Sequence, residues 1–182
     1  MLDEIVADAQ ASMDKALEAF GRDLTKLRTG RANLQMLDGI RVEYYGSPSP
    51  LNQVAALNIP DPRLITIKPW DKTLLTAVEK AIVSSNLGLT PNNDGELIRL
   101  PIPPLTGERR QDLVKQLKRQ AEDARISVRN VRRDANAMIK DLEGESEDAQ
   151  HRTLKEVQDV TDAMIKRVDA VAAEKEAEIM EV

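Results

Sequence analysis

The sequence predicts an α+β protein in which a small β/α/β domain interrupts a long three-helix bundle. Apolar residues recur at spacings of three and four in three long stretches near the two ends of the chain, which is typical of amphipathic helices. The middle of the chain is different, since seven of its nine prolines lie between Pro48 and Pro101, among short β-branched segments. We therefore expect a discontinuous bundle domain, residues 1–30 and 105–182, and an inserted domain, residues 31–104.

The first helix is expected over residues 2–28. One face of this helix carries a continuous apolar stripe, formed by Leu2, Val6, Ala9, Met13, Ala16, Phe20, Leu24 and Leu27. A single helix cannot bury such a stripe alone, so partner helices are required.

Two further helices follow the inserted domain. The second starts after Leu105, with Thr106 as its candidate N-cap. Its apolar face comprises Leu113, Val114, Leu117, Ala121, Ala124, Val128, Val131, Ala135, Met138 and Ile139. Gly144 predicts the end of the second helix, and Ser146 is the candidate N-cap of the third. The third helix has a stripe of Leu154, Val157, Thr161, Met164, Ile165, Val168, Val171, Ala172 and Ile179. Three such faces with heptad-like spacing predict a three-helix bundle.

The inserted domain is predicted to contain short strands and one helix. The strands are assigned to "GIRVEYYG", "LNQVAALNIP", "RLITIKPW" and "GELIRLPIP". The helix is assigned to "DKTLLTAVEKAIVSS", with Asp71 or Thr73 near its start.

Two short connections, residues 28–32 and 102–106, join the inserted domain to the bundle. They predict a two-stranded hinge, because glycine frees one connection and prolines stiffen the other. A plain domain boundary is the alternative. The hinge residues are Thr29, Gly30, Arg31, Pro103, Pro104 and Leu105.

Composition limits the function classes. Charged residues make up 31% and apolar residues 41% of the chain, as in a soluble folded protein. The absence of cysteine excludes disulfides, thiolate nucleophiles and cysteine zinc sites. No apolar run reaches the length of a membrane span, and "MLDEIVADAQ" lacks the basic start of a signal peptide. We therefore expect no membrane partner.

Motifs for catalysis are missing. His151 is the only histidine, and no phosphate-binding glycine loop or serine nucleophile motif occurs. The sequence "NNDGE" is interpreted as a turn. Trp70 and the pair Tyr44 and Tyr45 form either a stacking platform or, the favoured interpretation, the filling of a small core. The sequence thus predicts no enzyme, no cofactor and no metal site.

Arginines form the one conspicuous cluster. Residues 105–140 carry ten basic and five acidic side chains, whereas the whole chain has a net charge of −5. On a helix, Arg125, Arg129 and Arg132 fall within about 60° of one another. Lys118 joins this stripe, Arg110 lies near the helix start, and Arg133 lies on the far shoulder.

Two interpretations of the stripe remain open. Acids on the other helices, such as Asp14, Glu18 and Asp159, could pair with it across the bundle. Alternatively, the stripe is a phosphate or RNA surface, since the planar guanidinium binds phosphate through two parallel hydrogen bonds. The second interpretation is slightly favoured.

Several long motifs resemble the ribosome recycling factor family. They are "KLRTGRA", "IRVEYYG", "VEKAI", "LGLTP", "IRLPIPPLTGERR", "ARISVRNVRRDAN" and "KEAEIM". The resemblance implies a three-helix bundle with an inserted β/α/β domain, joined by a two-stranded hinge in an L shape close to that of tRNA. It implies a non-enzymatic cytoplasmic translation factor that acts with elongation factor G and GTP to split the ribosome from messenger RNA after termination.

The resemblance also implies the binding partner of the stripe. The arginines that contact ribosomal RNA in the family match Arg110, Arg129 and Arg132 of this sequence. The predicted RNA-binding set is therefore Arg110, Lys118, Arg125, Arg129, Arg132 and Arg133, contacting 23S-type RNA of the large subunit. We expect a monomer. The alternative function is a helical adaptor or chaperone-like module that binds proteins.

Overall fold

The computed structural model describes residues 1–181, which form two compact units. The helical unit comprises residues 1–29 and 107–181, and the inserted unit comprises residues 30–106. The α-helices of the described chain are α1 (Leu2–Thr25), α2 (Leu51–Val54), α3 (Leu75–Ser84), α4 (Gly107–Asp141) and α5 (Glu147–Met180). The β-strands are β1 (Arg41–Tyr44), β2 (Ser47–Pro50), β3 (Ala55–Asp61), β4 (Leu64–Pro69), β5 (Asn92–Asn93) and β6 (Ile98–Pro101).

The helical unit packs α1, α4 and α5 around a shared apolar core, as the three stripes predict. Each helix supplies one member of a buried cluster formed by Met13, Val128 and Met164. A neighbouring cluster joins Ala9, Ala135, Ile139 and Val157. Thr161 is fully buried in this core, where its hydroxyl donates to the carbonyl of Val157 at 2.7 Å. The buried hydroxyl is thus satisfied within its own helix.

The turn between α4 and α5 has the predicted chemistry. Gly144 adopts φ +86°, a left-handed conformation that glycine takes without strain. The hydroxyl of Ser146 accepts a hydrogen bond from the amide of Ala149 at 3.2 Å, which caps α5. At the other end, α4 begins at Gly107, directly after the predicted cap Thr106.

Two details of the helix predictions are wrong. The first helix ends at Thr25 instead of residue 28, because the backbone tightens into three-residue hydrogen bonds there: the amides of Lys26 and Leu27 donate to the carbonyls of Asp23 and Leu24 at 3.2 and 3.1 Å. Met138 was assigned to the buried face of α4, but its side chain is 57% exposed while Ile139 is fully buried. One residue of rotation, about 100°, separates the two positions, so Met138 lies beyond the edge of the core.

The inserted unit combines a hairpin with a separate sheet. Strands β1 and β2 pair with each other, and the antiparallel four-stranded sheet has the order β3-β4-β6-β5. The buried core of this unit is aliphatic throughout the described residues: Leu37, Ile40, Val42, Leu51, Val54, Ala55, Ile65, Ile67, Leu75, Val78, Ile82, Ile98, Leu100 and Ile102. The core-filling interpretation of the aromatic residues is therefore wrong. Tyr45 is 88% exposed and Trp70 is 71% exposed.

Three short elements of the inserted unit differ from the prediction. Strand β2 has the sequence Ser-Pro-Ser-Pro, and its two prolines argue against a strand because proline has no amide hydrogen to donate. An edge strand tolerates these missing donors. Helix α2 takes the start of a segment predicted as strand. Strand β5 overlaps the predicted "NNDGE" turn, whose remainder is confirmed as a turn around Asp94.

Asp94 organises this turn through its carboxylate. The amides of Leu97 and Glu96 donate to it at 3.0 and 2.9 Å, and Arg99 pairs with it. These backbone and side-chain hydrogen bonds favour the charged form, so the pKa of Asp94 falls from 3.8 to about 2.

Within residues 1–181, no helix is both long enough and apolar enough to cross a bilayer.

Candidate nucleic-acid interface

Helix α4 carries all six cations of the predicted RNA-binding set. Lys118, Arg125 and Arg132 follow one another at intervals of seven residues, which is almost two complete helical turns. Positions seven residues apart lie on the same side of a helix. In α4, this side is next to the apolar stripe. The local sequence therefore places these three cations in one row.

The row faces acidic and polar residues of α5. The ammonium of Lys118 lies 3.5 Å from the carboxylate of Glu176, and Nε of Arg125 lies 2.8 Å from Oδ1 of Asp169. The acids are also seven residues apart and run in the opposite direction, as expected for antiparallel helices. The two contacts form a charge ladder along the α4–α5 seam, in the manner of flanking positions in a coiled coil. We call this row of paired residues the seam ladder.

Arg132 occupies the next step of the seam ladder but meets a neutral group. Its guanidinium donates to Oε1 of Gln158 at 3.2 Å, and the amide nitrogen of Gln158 donates to Asp162 at 2.8 Å. Throughout residues 1–181, no carboxylate lies within ion-pair distance of Arg132. The positive charge of Arg132 is therefore not neutralised at close range.

Arg125 and Arg129 share an acid on their own helix. The carboxylate of Glu122 accepts from Arg125 at 2.8 Å and from Arg129 at 3.0 Å. These hydrogen bonds lower the pKa of Glu122, while the bonds from Arg125 to Asp169 and then to Glu122 raise the pKa of the arginine. With Nε and one terminal nitrogen engaged by carboxylates, Arg125 has its positive charge neutralised at close range, which weakens its attraction for a phosphate.

The last two members lie apart from the seam ladder. Arg110 donates from one terminal nitrogen to the carbonyls of Met180 and Glu181, each at 3.0 Å, at the end of α5. Those carbonyls carry the partial negative charge of a helix C-terminus. Arg133 is 75% exposed, and its nearest acid, Asp134, lies 3.8 Å away.

The structure tests the bracing interpretation of the arginine stripe, and the RNA interpretation stays a prediction. Bracing across the bundle does occur, through Asp169 and Glu176. For Asp14 that expectation is wrong, because Asp14 pairs with Arg167 of α5 at 3.0 Å. Sequence reasoning missed the true partners, since the register between two antiparallel helices is not contained in either helix alone. The matching seven-residue spacing of cations and acids was the available signal.

The hinge residues lie at the ends of each unit. In the helical unit, the hydroxyl of Thr29 reaches Glu178 of α5 at 3.5 Å. In the inserted unit, Gly30 adopts φ +77°, and a side chain there would meet Cγ of Leu105 at 3.0 Å. Arg31, Pro103 and Pro104 are exposed.

Both connections are tied to one turn of the inserted unit. The amide of Ala32 donates to the carbonyl of Pro62 at 2.7 Å, and the amide of Ile102 donates to the carbonyl of Arg63 at 2.8 Å. Pro62 and Arg63 form the turn between β3 and β4. The two ends of the inserted unit are therefore held side by side.

The described residues contain no cluster of three or more His, Asp or Glu side chains arranged to hold a metal ion.

Comparison with known proteins identifies the family. The family model for ribosome recycling factor matches residues 20–180. Ribosome-recycling factors from Geobacter sulfurreducens and Myxococcus xanthus are 53% and 50% identical, and each alignment covers all of both chains.

Solved structures agree. A solution structure of a ribosome recycling factor is 42% identical and superposes with a TM-score of 0.78, covering all of this chain and 98% of the other. A second structure gives models for the T. thermophilus ribosome recycling factor and the E. coli elongation factor G bound to the E. coli post-termination complex; its matching chain is 44% identical, with a TM-score of 0.65 and full coverage of both chains. The chain therefore belongs to the ribosome recycling factor family.

Proposed function

We propose that this chain recycles ribosomes after termination, acting in the cytoplasm with elongation factor G and GTP. Full-length similarity to named recycling factors carries the proposal. The sequence contains no nucleotide-binding loop, so the energy for splitting must come from a partner that hydrolyses GTP. The chain is thus a binding and remodelling factor with no catalytic residue of its own.

The helical unit is proposed to bind RNA of the large subunit through α4. Arg132 is the principal contact, because it meets a neutral amide and keeps its charge available for phosphate. Arg129 and Arg133 lie within one turn of it and are 45% and 75% exposed. Arg110 lies on the same helix, near its start. Together they give a positive surface whose binding strength should depend steeply on salt.

Lys118 and Arg125 are proposed to have a supporting role in RNA binding. Their charges contribute to the local positive potential, but their hydrogen bonds are directed to Glu176 and Asp169. A phosphate would have to compete with these acids for the same positive charges. We therefore rank both below Arg132 as RNA ligands.

The two connections are proposed to act as a hinge during recycling. Gly30 has a backbone conformation closed to most residues, and Pro103 and Pro104 stiffen the returning chain. Changes of orientation would then be confined to a few residues. Each unit would move as a rigid body about them.

The direct test is ribosome splitting with purified components. We expect the chain alone to split post-termination ribosomes poorly, and the chain with elongation factor G and GTP to split them efficiently, as measured by light scattering. Replacing GTP by a non-hydrolysable analogue should abolish splitting. GTP hydrolysis by the purified chain alone would contradict the proposal.

A further inference from the structure

The turn of the β1–β2 hairpin holds an aromatic residue in a backbone conformation that such residues avoid. Tyr44 pairs with Ser47, so the loop consists of only Tyr45 and Gly46. Both loop residues have positive φ, +49° and +76°. Two-residue loops of this kind favour Asn-Gly or Asp-Gly, because bulky side chains are strained in the left-handed region. On local grounds, tyrosine is an unfavourable choice at position 45.

Packing within the protein does not explain this choice. Tyr45 is 88% exposed, and its ring lies at a steep angle to that of Tyr44, with centroids 4.5 Å apart. Asn86 also has a positive φ, but asparagine tolerates that conformation. A strained residue without burial is a candidate for a binding role.

The charge of the hairpin indicates which kind of partner it meets. The tip of the hairpin, residues 44–47, contains no Lys, Arg, Asp or Glu, and the strands behind it carry one charge of each sign, Arg41 and Glu43. Surfaces that bind single-stranded RNA combine aromatic rings with cations that hold the phosphates. The centres of protein–protein interfaces are instead depleted of charge and enriched in tyrosine. The uncharged hairpin tip therefore has the composition of a protein contact.

We propose that Tyr45 anchors the inserted unit to a protein component of the recycling complex. Its ring inserts into an apolar pocket of that protein. The phenol hydroxyl donates a hydrogen bond to an acceptor in the pocket. The tight two-residue turn and the contact with Tyr44 hold the ring in an exposed position before binding, which reduces the entropy lost on docking. The inference rests on the proposed function, because the recycling complex supplies the partner.

The conformation of Tyr45 makes the first test unusually specific. Tyr45→Asn removes the ring and relieves the strained turn, so it should raise the Tm by about 2 °C or more. The same variant should reduce the rate of ribosome splitting about tenfold or more, as for the loss of an interface anchor. Tyr45→Phe keeps the ring and should retain splitting within about threefold. Asn86→Gly is the matched control, since Asn86 is the other non-glycine residue with a positive φ among the described residues. This variant should leave splitting unchanged.

Salt dependence shows whether Tyr45→Asn disturbs the phosphate contacts of the helical unit. The ratio of wild-type to Tyr45→Asn splitting rates should stay the same as salt is raised, because no charge is lost at the hairpin tip. Large-subunit binding by Tyr45→Asn should also match that of the wild type. If wild-type protein fails to split ribosomes, the proposed function fails; if Tyr45→Asn splits as fast as wild type, only the anchor role fails.

Photo-crosslinking identifies the partner class directly. With p-benzoylphenylalanine at position 45, irradiation of post-termination ribosomes with elongation factor G and GTP should give a discrete crosslinked product whose mass is unchanged by nuclease. A nuclease-sensitive product, or no product, would overturn the proposal. A lower Tm for Tyr45→Asn would overturn it as well, since the ring would then serve the fold.

Discussion

The helical unit and the inserted unit are stabilised in different ways. The helical unit has long helices whose exposed flanks carry ion pairs, such as those of Arg125 and Lys118 along the seam ladder. The inserted unit has short elements around a fully aliphatic core, with turns fixed by backbone conformation. Single exposed ion pairs contribute only about 0–1 kcal/mol to stability. Removing a cation that lacks an acidic partner in the helical unit should therefore alter RNA binding more than stability, whereas changing a glycine of the inserted unit that requires a positive φ should alter stability.

The largest effect on stability is expected at Gly30. Gly30→Ala introduces a side chain at positive φ and at 3.0 Å from Leu105, so the free energy of unfolding should fall by about 2–4 kcal/mol. Gly39→Ala is the matched control, because Gly39 has φ +87° but open space around it. It should cost only the conformational part, about 1–2 kcal/mol.

Denaturant unfolding of both glycine variants measures this difference. Equal losses would show that the contact with Leu105 yields without cost. Neither variant should change the salt dependence of large-subunit binding, since neither alters a charge.

A smaller effect is expected at the seam ladder. Arg125→Ala removes the cation shared by Glu122 and Asp169 and should lower stability by about 1 kcal/mol. The slope of log affinity against log salt should stay within about 0.3 of wild type, because this arginine is already paired with protein acids. A slope change of about 0.7–0.9 would instead assign Arg125 a direct phosphate contact.

The smallest effect concerns a turn of the inserted unit. The pKa of Asp94 is lowered to about 2, so its carboxylate stabilises the fold fully above its ordinary pKa of 3.8 and loses that contribution as pH falls through about 2. Asp94→Asn should therefore be less stable than wild type near neutral pH, and the difference should vanish only below about pH 2. NMR titration of the Asp94 carboxyl should give a midpoint near 2, and a midpoint near 3.8 would refute the role of the turn.

The sequence predicted the periodic parts of the fold well. The helical stripes and the cap at Ser146 follow from local spacing, and local spacing is what a sequence records directly. Strand β2 could not be predicted, because its two prolines are tolerated only by its position at the edge of a hairpin. The exposure of Tyr45 and Trp70 was missed, because aliphatic residues already fill the core that these rings were expected to occupy.

The candidate site was predicted in part. The stripe itself follows from helical geometry, but the division between paired and unpaired cations does not. That division depends on which residues of α5 lie opposite α4, and hence on the packing register. Gln158 is the clearest case, since a neutral residue at this place leaves Arg132 without an acid.

The salt dependence of Arg132→Ala tests the central claim most directly. If Arg132 contacts an RNA phosphate, the substitution should weaken large-subunit binding by about 1.5–3 kcal/mol and flatten the salt slope by about 0.7–0.9, with the Tm unchanged. Arg132→Lys should be intermediate, because it restores the charge but not the planar fork. Arg167→Ala, which removes an exposed arginine paired with Asp14, is the matched control and should leave the slope unchanged. A destabilised Arg132→Ala variant with wild-type affinity and slope would contradict the account.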